Sequence, residues 1–268
     1  MSNLSGLSVI LPTLNEEENL KQLIPGIVKI FHEIQFNEYE IIVVDDSSED
    51  NTKELITNLN SKNRNIKFFL RSDERSLPMS ILDGINFSIY DYVMWLDADG
   101  SMNPSSVKKL LLKLNENNDK VVVGSRFVEG GGYKGIEEVG RTSFFSAMYN
   151  VSKSNDSVLA TILSKIFNNL LFLLTPTNVK DLTSGFIAAK KTFIDAEVFE
   201  KSSYGDYFVY LIYSFYSKKI SVTEVGYLCE TRLYGESKTG SSILQLIKRG
   251  LPYILAAVRC RIGINENI

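Results

Sequence analysis

The sequence has few of the residues that build zinc centres, disulfide frameworks and histidine-based catalytic sites. It contains one histidine, His32, and two cysteines, Cys229 and Cys260. A zinc centre usually needs three or four His or Cys ligands, and a Ser-His-Asp triad would depend entirely on His32. That histidine lies near the end of a predicted helix, where we interpret it as a surface or packing residue. The sequence therefore argues against these classes of site.

Positive charge and long apolar runs are also scarce. The chain has 29 Lys and Arg against 32 Asp and Glu, a net charge of −3, so we expect no nucleic-acid partner. The longest apolar runs, 166–175 and 251–258, contain two asparagines and a proline and fall short of the ~20 residues that span a bilayer. The first ten residues lack the basic region of a signal peptide. We expect a cytoplasmic protein, peripheral on the cytosolic face of a membrane.

What is present is an alternation of strand-like and helix-like segments in a chain that is 44% hydrophobic. Five short apolar runs are predicted to be strands: 7–11, 40–44, 66–70, 92–96 and 121–123. The segments between them carry apolar residues at helical spacing. Strands without a polar face, separated by amphipathic helices, are typical of a mostly parallel sheet covered on both sides. The predicted fold class is therefore α/β, with a mostly parallel central sheet flanked by helices.

Acidic residues follow two of these strands. Asp45-Asp46 ends the second run, and Asp97-Ala98-Asp99 ends the fourth. Ligands of parallel sheets bind beyond the carboxyl ends of the strands, which is where these carboxylates are expected. An Asp-x-Asp pair suits Mg²⁺ or Mn²⁺, especially when a diphosphate supplies further oxygens. The alternative is that these residues only cap the helices that follow.

Other nucleotide-binding signatures are missing from the sequence. No Gly-x-Gly-x-x-Gly follows the first strand, and no Walker A motif occurs. A dinucleotide oxidoreductase and a P-loop NTPase are therefore poorly supported. An Asp at the edge of a nucleotide crevice can instead accept hydrogen bonds from ribose hydroxyls or a base N–H, a role for which Asp45 is the candidate.

Six short motifs in register carry a family resemblance. They are Leu-Pro-Thr-Leu-Asn-Glu (11–16), Val-Val-Asp-Asp-Ser-Ser (43–48), Leu-Asp-Ala-Asp-Gly (96–100), Val-Gly-Ser-Arg-Phe-Val (123–128), Asp-Leu-Thr-Ser-Gly-Phe (181–186) and Arg-Leu-Tyr-Gly-Glu-Ser-Lys (232–238). Together they resemble the family 2 glycosyltransferases, which have a GT-A fold. Within that family the sequence looks most like the dolichol-phosphate, or polyprenyl-phosphate, mannosyltransferase branch. The resemblance covers about residues 7–240.

The resemblance implies a role for each matching residue. Those expected near the donor nucleotide are Pro12, Asn15, Glu16, Asp45 and Asp46. Those expected to hold the divalent metal, Mg²⁺ or Mn²⁺, and the donor diphosphate are Asp97 and Asp99. Those expected to bind phosphates of donor or acceptor are Arg126, Arg141, Arg232, Ser237 and Lys238. For each basic residue the alternative is a solvated surface charge.

Some positions depart from the family pattern. Relatives often carry a glutamine two residues after the Asp-x-Asp motif, where this chain has Ser101. Segments 74–80 and 204–208 also differ from the usual glycine-containing patterns. The second of these includes Asp206, the one candidate for a general base, whose alternative role is to cap the helix that starts near Tyr207. These departures leave the sugar and the acceptor open.

The implied function is an inverting, metal-assisted transfer of a hexose, mannose from GDP-mannose, to a polyprenyl or dolichyl phosphate. One alternative is a transferase that uses a UDP-sugar and acts on polyprenyl phosphate or on a glycan hydroxyl. Another is a non-catalytic subunit that binds a nucleotide sugar. A lipid acceptor would bring a membrane surface as partner, with a small membrane subunit or a second copy of the chain as further candidates.

We expect residues 1–240 to form the catalytic domain and 241–268 an amphipathic C-terminal helix. That helix carries four basic residues: Lys248, Arg249, Arg259 and Arg261. Apolar side chains between 144 and 174 form a second surface suited to a bilayer. The alternative for both segments is that they cover the sheet or contact a partner subunit.

Overall fold

A computed structural model describes residues 4–116, 121–133, 158–230 and 243–263. Within these residues, seven strands form one sheet: β1 (Leu7–Thr13), β2 (Tyr39–Asp45), β3 (Ile66–Leu70), β4 (Tyr92–Trp95), β5 (Val121–Ser125), β7 (Ile187–Lys190) and β8 (Val222–Gly226). A second, two-stranded ladder pairs β6 (Gly132–Tyr133) with β9 (Leu228–Cys229). The five runs predicted from the sequence correspond to five strands of the large sheet, although Leu96 of the fourth run lies just beyond β4.

The helices of the described residues lie between these strands. They are α1 (Glu17–Glu33), α2 (Thr52–Lys62), α3 (Leu77–Phe87), α4 (Pro104–Glu116), α5 (Val158–Leu174), α6 (Ala196–Glu200), α7 (Tyr207–Ser217) and α8 (Ile243–Ile262), with a 3₁₀ turn at Lys191–Phe193. Asn103 caps α4, because its side-chain oxygen accepts the backbone N–H of Ser106 at 3.0 Å. Pro104 follows at the first position of the helix, where its missing N–H costs no hydrogen bond.

The large sheet has the strand order β3-β2-β1-β4-β7-β5-β8. Its pairs are parallel except that β7 runs antiparallel to both of its neighbours, β4 and β5. Ile187 at the start of β7 pairs with Trp95 at the end of β4, so the chain enters β7 from the carboxyl edge of the sheet and must run back. The predicted mostly parallel sheet is confirmed, and the reversed central strand is a feature that the sequence did not predict.

Two hydrophobic layers enclose the sheet. Val9 and Leu11 face the layer that contains α1 and α4, whereas Ile10 between them faces the layer that contains α3, α7 and α8. All three side chains are fully buried. Both faces of the strands are therefore covered, which explains why their sequences are apolar without alternation.

Candidate active site

The carboxyl ends of β2, β1 and β4 meet at one edge of the sheet. Thr13 of β1 pairs with Asp45 of β2, and Ile10 pairs with Trp95, so Asp97 comes two residues beyond the end of β4. Because neighbouring strands lie about 4.8 Å apart, β2 and β4 lie about 10 Å apart across β1. The two predicted acidic clusters therefore occupy the same edge of the sheet.

Asp45 is almost completely buried, at 2% exposure. Its carboxylate accepts the hydroxyl of Ser48, and also the backbone N–H of Ser48 at 3.3 Å. Burial raises the pKa of Asp45 because the charged form loses its hydration, and the Ser48 hydrogen bonds offset only part of that effect. The fold thus holds a carboxylate in an environment that disfavours its charge, a feature common at functional sites.

Asp46 has a different environment. It forms a buried ion pair with Arg71 and accepts the backbone N–H of Ser76 at 2.7 Å. Arg71 also contacts Asp83 of α3 at 2.7 Å, so one guanidinium joins the end of β2 to α3. In this structure both Asp46 oxygens are used within the protein, and its predicted contact with substrate stays a prediction.

The loops after β1 and β2 are fastened to each other. The Asn15 N–H donates to the Ser48 hydroxyl at 2.8 Å, and the Asn15 side-chain oxygen accepts the N–H of Glu49 at 2.7 Å. Asn15 adopts a left-handed backbone conformation, with φ of 58°, which asparagine tolerates better than most residues. The predicted nucleotide residues Pro12, Asn15 and Glu16 therefore lie on a loop tied to the one that carries Asp45.

The Asp-x-Asp loop leaves the sheet at the end of β4. Asp99 is buried, at 5% exposure, and accepts the backbone N–H of Ser101 at 3.0 Å, while Asp97 is partly exposed. The loop is anchored to the strand-end segment after β9, because the Glu230 N–H donates to the Ser101 carbonyl at 2.9 Å. The Asn103 amide also donates to the Glu230 carboxylate at 2.6 Å. Both carboxylates are thus held on a braced loop.

The donor set of this loop fits a hard divalent cation. Asp97 and Asp99 supply carboxylate oxygens, the ligand type that Mg²⁺ and Mn²⁺ prefer. No cluster of three or more His, Cys, Asp or Glu side chains suited to a metal occurs in 4–116, 121–133, 158–230 and 243–263. A pair of carboxylates with diphosphate oxygens and water completing the coordination is the usual arrangement for Mg²⁺ at nucleotide sites, so the two residues fit such an ion.

Arg126 lies just beyond β5 in a buried pair with Asp181. Its Nε and Nη2 donate to the two carboxylate oxygens at 2.8 and 2.7 Å, and its backbone N–H donates at 2.9 Å. The nearby Asp181 charge raises the Arg126 pKa against the opposing effect of burial, so the guanidinium stays charged. Sequence reasoning placed Asp181 in a motif but assigned it no role.

The loop that carries Asp181 is itself held by side chains from two other elements. Glu224 of β8 accepts the N–H groups of Lys180 and Asp181, and Asn168 of α5 accepts the N–H of Leu182 at 2.9 Å. Arg126 is therefore fixed by a loop braced from β8 and α5. Its predicted contact with a phosphate stays a prediction.

Asp206 is the N-cap residue of α7, but its carboxylate makes no capping bond to that helix. Instead it accepts the backbone N–H of Tyr204 at 2.7 Å and that of Ser203 at 3.2 Å. The alternative that Asp206 caps α7 through its side chain is therefore wrong, because the carboxylate turns back to close the preceding turn. Its role as a general base stays a prediction.

Two tyrosines near Asp97 were missed by sequence reasoning. Tyr207 is buried and its hydroxyl accepts the indole N–H of Trp95 at 3.2 Å. Burial raises the pKa of both Tyr207 and Tyr253, the second of which comes from α8, and the Asp97 charge contributes in the same direction to both. Only the clustering of tyrosines between 204 and 216 hinted at such a layer, and nothing local pointed to Tyr253.

Four predicted phosphate ligands lie outside the described residues: Arg141, Arg232, Ser237 and Lys238. Their contacts stay predictions. Glu230, two residues before Arg232, lies against the Asp-x-Asp loop.

A family comparison decides the classification. The sequence profile of glycosyl transferase family 2 matches residues 8–198, which is more than half of the chain. The chain belongs to glycosyl transferase family 2. The family expected from the six motifs is thereby confirmed.

Two curated relatives of this family 2 glycosyltransferase are about a third identical to it over the residues that align. A dolichol-phosphate mannosyltransferase of Pyrococcus furiosus is 31% identical over 243 residues, which cover 90% of this chain and 62% of that protein. A dolichol-phosphate mannosyltransferase of Mycosarcoma maydis is 32% identical over 132 residues, covering 48% of this chain and 45% of that one. The chain spans less than two thirds of the length of these relatives.

Solved structures confirm the GT-A fold of this family 2 glycosyltransferase. Glucosyl-3-phosphoglycerate synthase of Mycobacterium tuberculosis superposes with a TM-score of 0.62 at 17% identity, covering 96% of this chain and 80% of that one. The same enzyme in complex with Mn²⁺, UDP and glucosyl-3-phosphoglycerate gives a TM-score of 0.55 at 18% identity, with the same coverage. At these identities the likeness concerns the fold alone.

Within the described residues of this family 2 glycosyltransferase, no helix has the length and apolar character that crossing a bilayer requires.

Proposed function

We propose that this chain transfers a hexose, mannose from GDP-mannose, to a polyprenyl phosphate with inversion at the anomeric carbon. The observation that carries the proposal is the placement of Asp45, Asp97 and Asp99 at one edge of the sheet. The mannosyltransferase names of two curated relatives support the choice of donor and acceptor.

The nucleotide half of the donor would lie across the loops after β1 and β2. Asp45 would accept hydrogen bonds from the base or ribose, and its burial makes such bonds strong. Pro12, Asn15 and Glu16 would form the wall of this subsite, on the loop that the Asn15–Ser48 hydrogen bond ties to Asp45.

The donor diphosphate would lie over Asp97 and Asp99, which would hold the divalent cation with it. When bound, that cation stabilises the negative charge that grows on the leaving diphosphate. The loop, and Asn103 after it, are hydrogen-bonded to Glu230, which holds both carboxylates in place. The two side chains then need not reorganise during the reaction.

The acceptor phosphate needs cations more than it needs a base. A phosphate monoester is largely dianionic at pH 7, because its second pKa is about 6, so no proton has to be removed before attack. Two phosphate-bearing substrates must then approach each other. The side chains proposed to offset their repulsion are Arg126, Arg141, Arg232, Ser237 and Lys238.

The apolar surface of α5 and α8 supports association with a membrane. Exposed residues recur at helical spacing as one stripe on each helix: Ile166, Leu170 and Leu173 on α5, and Leu251, Leu255, Val258 and Ile262 on α8. Neither helix contains Asp or Glu, whereas α8 has exposed Arg249, Arg259 and Arg261 in a chain of net charge −3. Apolar stripes with basic flanks fit an anionic bilayer surface, and the acceptor would be reached there.

Incubation with labelled donors tests the reaction. The full-length protein is mixed with radiolabelled GDP-mannose or UDP-glucose, with and without polyprenyl phosphate, and then extracted into organic solvent. We expect mannose label in the organic phase only when the lipid phosphate is present. Glucose label there would support the UDP-sugar alternative. Tight donor binding without any transfer would support a non-catalytic nucleotide-sugar-binding subunit.

Asp206 separates a phosphate acceptor from a hydroxyl acceptor. In Asp206→Asn the amide oxygen can still accept the Tyr204 N–H, but the side chain cannot take a proton. We expect transfer to polyprenyl phosphate to fall by less than about tenfold, because a dianionic acceptor needs no base. Complete loss of turnover in a correctly folded variant would instead indicate base catalysis and a hydroxyl acceptor.

Two matched variants test the association with a membrane. Leu255 of α8 and Leu112 of α4 are 46% and 47% exposed, but only Leu255 lies on the proposed surface. Leu255→Glu should weaken binding to vesicles containing phosphatidylglycerol by about tenfold, since a charge replaces apolar area that the bilayer would bury. Leu112→Glu should leave binding unchanged. Equal effects of the two variants would contradict the assignment of the surface.

A further inference from the structure

The turn before α7 lies beneath a residue of the C-terminal helix. Asp206 closes this turn through the N–H groups of Ser203 and Tyr204. Gly205, between Tyr204 and Asp206, is buried. A Cβ at Gly205 would come within 1.7 Å of the hydroxyl oxygen of Tyr253 and 2.6 Å of its ring. The hydroxyl of Tyr253 therefore lies directly on the backbone of the turn, and a side chain at position 205 would displace it.

Tyr253 is held in this position by contacts on both sides of α8. Its ring packs edge-on against Phe167 of α5, with ring centres 5.9 Å apart and an angle of 78°. Gly250, nearly one helical turn earlier, lets α8 approach the same Phe167 ring closely. Further along α8, Arg259 donates to the hydroxyl of Tyr210 on α7 at 3.2 Å. The helix is thus fastened to α5 and α7, which keeps Tyr253 beside Gly205.

The turn is joined to the end of β4, because the hydroxyl of Tyr207, directly after Asp206, accepts the indole N–H of Trp95, two residues before Asp97, at 3.2 Å. Burial raises the pKa of Tyr253, and the negative charges of Asp97 and Asp206 raise it further, while Arg126 acts in the opposite sense. The phenol therefore remains neutral and keeps its proton. The contact of α8 with Gly205 therefore connects this helix, through the turn before α7, to the end of β4 that carries the Asp97 loop.

We propose that Tyr253 is a positioning residue of the transfer site, which holds the Ser203–Asp206 turn in register with the Asp97 loop. The proposal rests on the proposed function for the reaction that it serves. It also means that α8 completes the catalytic unit, whereas the sequence suggested a catalytic domain that ends at residue 240. Tyr253 touches no reacting atom in this proposal and acts through the backbone of Gly205.

Tyr253→Phe removes the hydroxyl and keeps the ring against Phe167. We expect kcat to fall about tenfold while KM for the donor changes less than about twofold, because a small displacement near reacting groups affects chemistry more than binding. The matched control is Tyr210→Phe, which removes the hydroxyl that binds Arg259 on the same pair of helices. It should leave kcat unchanged. A merely structural role would lower the melting temperature of both variants and spare the kcat of both.

A double-mutant cycle tests whether Tyr253 acts through Gly205. Gly205→Ala should lower kcat by displacing the phenol, and Tyr253→Ala should lower it by removing the phenol. If both changes act through one contact, the double variant should be no slower than the worse single variant. Multiplied effects in the double variant would show independent actions and would overturn the proposal.

Hydrogen exchange separates this inference from the proposed reaction, since it needs no substrate. Tyr253→Phe should speed exchange of the Ser203 and Tyr204 amides, and Tyr210→Phe should not. Unchanged exchange of these amides in Tyr253→Phe would overturn the inference, even if sugar transfer is established. Faster exchange together with an unchanged kcat would also overturn it. If the wild-type chain transfers no sugar, the proposed reaction fails, and faster exchange would still support the hold of Tyr253 on the turn.

Discussion

The acidic pairs at the ends of β2 and β4 look alike in sequence but differ in their surroundings. At the end of β2, Asp46 is held by the guanidinium of Arg71, while Asp45 accepts hydrogen bonds from Ser48. At the end of β4, Asp99 accepts the backbone N–H of Ser101, on a loop anchored to Glu230. A carboxylate paired with a buried cation supports the fold. The carboxylates of the anchored loop after β4 are the ones proposed to hold a divalent cation.

The largest expected effect is on turnover at the β4 pair. Asp99→Asn keeps an oxygen for the Ser101 N–H and removes the charge that a divalent cation would need. We expect transfer to fall by about a thousandfold or more, as when an essential electrostatic group is lost, with little change in melting temperature. Steady-state transfer assays over a range of Mg²⁺ and Mn²⁺ concentrations measure this effect.

Asp99→Ala provides the matching control for that experiment, because it removes both the charge and the hydrogen-bond acceptor. It should lose the same activity and also some stability. Unchanged transfer in either variant would contradict the metal assignment.

The β2 pair should respond mainly in stability. Arg71→Met leaves the buried carboxylate of Asp46 without its cation, which costs about 3–5 kcal/mol when a buried pair is broken. Urea unfolding measures this change in the free energy of unfolding.

Arg75 offers a matched control, since its pair with Glu49 is exposed on both sides. Arg75→Met should cost at most about 1 kcal/mol. If Arg71→Met abolished donor binding and left stability intact, Asp46 and Arg71 would belong to the substrate site, and the contrast between the two acidic pairs would disappear.

The part of the fold that could be predicted is the part that local pattern determines. Runs such as 41–44 are apolar on both faces, and helices such as α4 carry a capping residue and helical spacing. The direction and place of β7 could not be predicted, because its apolar sequence, Ile-Ala-Ala-Lys, is compatible with either direction. Only the entry of the chain at the carboxyl edge of the sheet decides it.

The candidate site likewise has a part that the sequence predicts and a part that it does not. Strand-end carboxylates could be located because parallel strands bring their carboxyl ends to one edge. The pairing of Arg126 with Asp181 spans 55 positions, and Tyr253 reaches Gly205 from another helix. Such contacts depend on tertiary packing, so no local sequence pattern predicts them.

Asp45 gives the smallest expected effect and the sharpest test of the comparison, because it belongs to the β2 pair but is proposed to bind the donor. Its pKa is raised by burial, so the folded state binds the proton more tightly than the unfolded chain does. Stability therefore falls as pH rises from the ordinary aspartate pKa through the raised value, and the charged group costs stability at neutral pH. Asp45→Asn removes this cost.

We expect Asp45→Asn to melt at the same or a higher temperature than the wild type at pH 7, with the difference shrinking as the pH is lowered. Donor affinity should weaken about tenfold, or about 1.4 kcal/mol, since an amide accepts hydrogen bonds from a ribose or base less strongly than a carboxylate. Calorimetric titration with GDP-mannose, together with melting curves between pH 4 and 7, measures both quantities. Lower stability at pH 7 with unchanged donor affinity would make Asp45 a structural residue like Asp46. The donor would then be bound from the β4 side alone, and the two acidic pairs would differ in function as completely as they do in their hydrogen bonds.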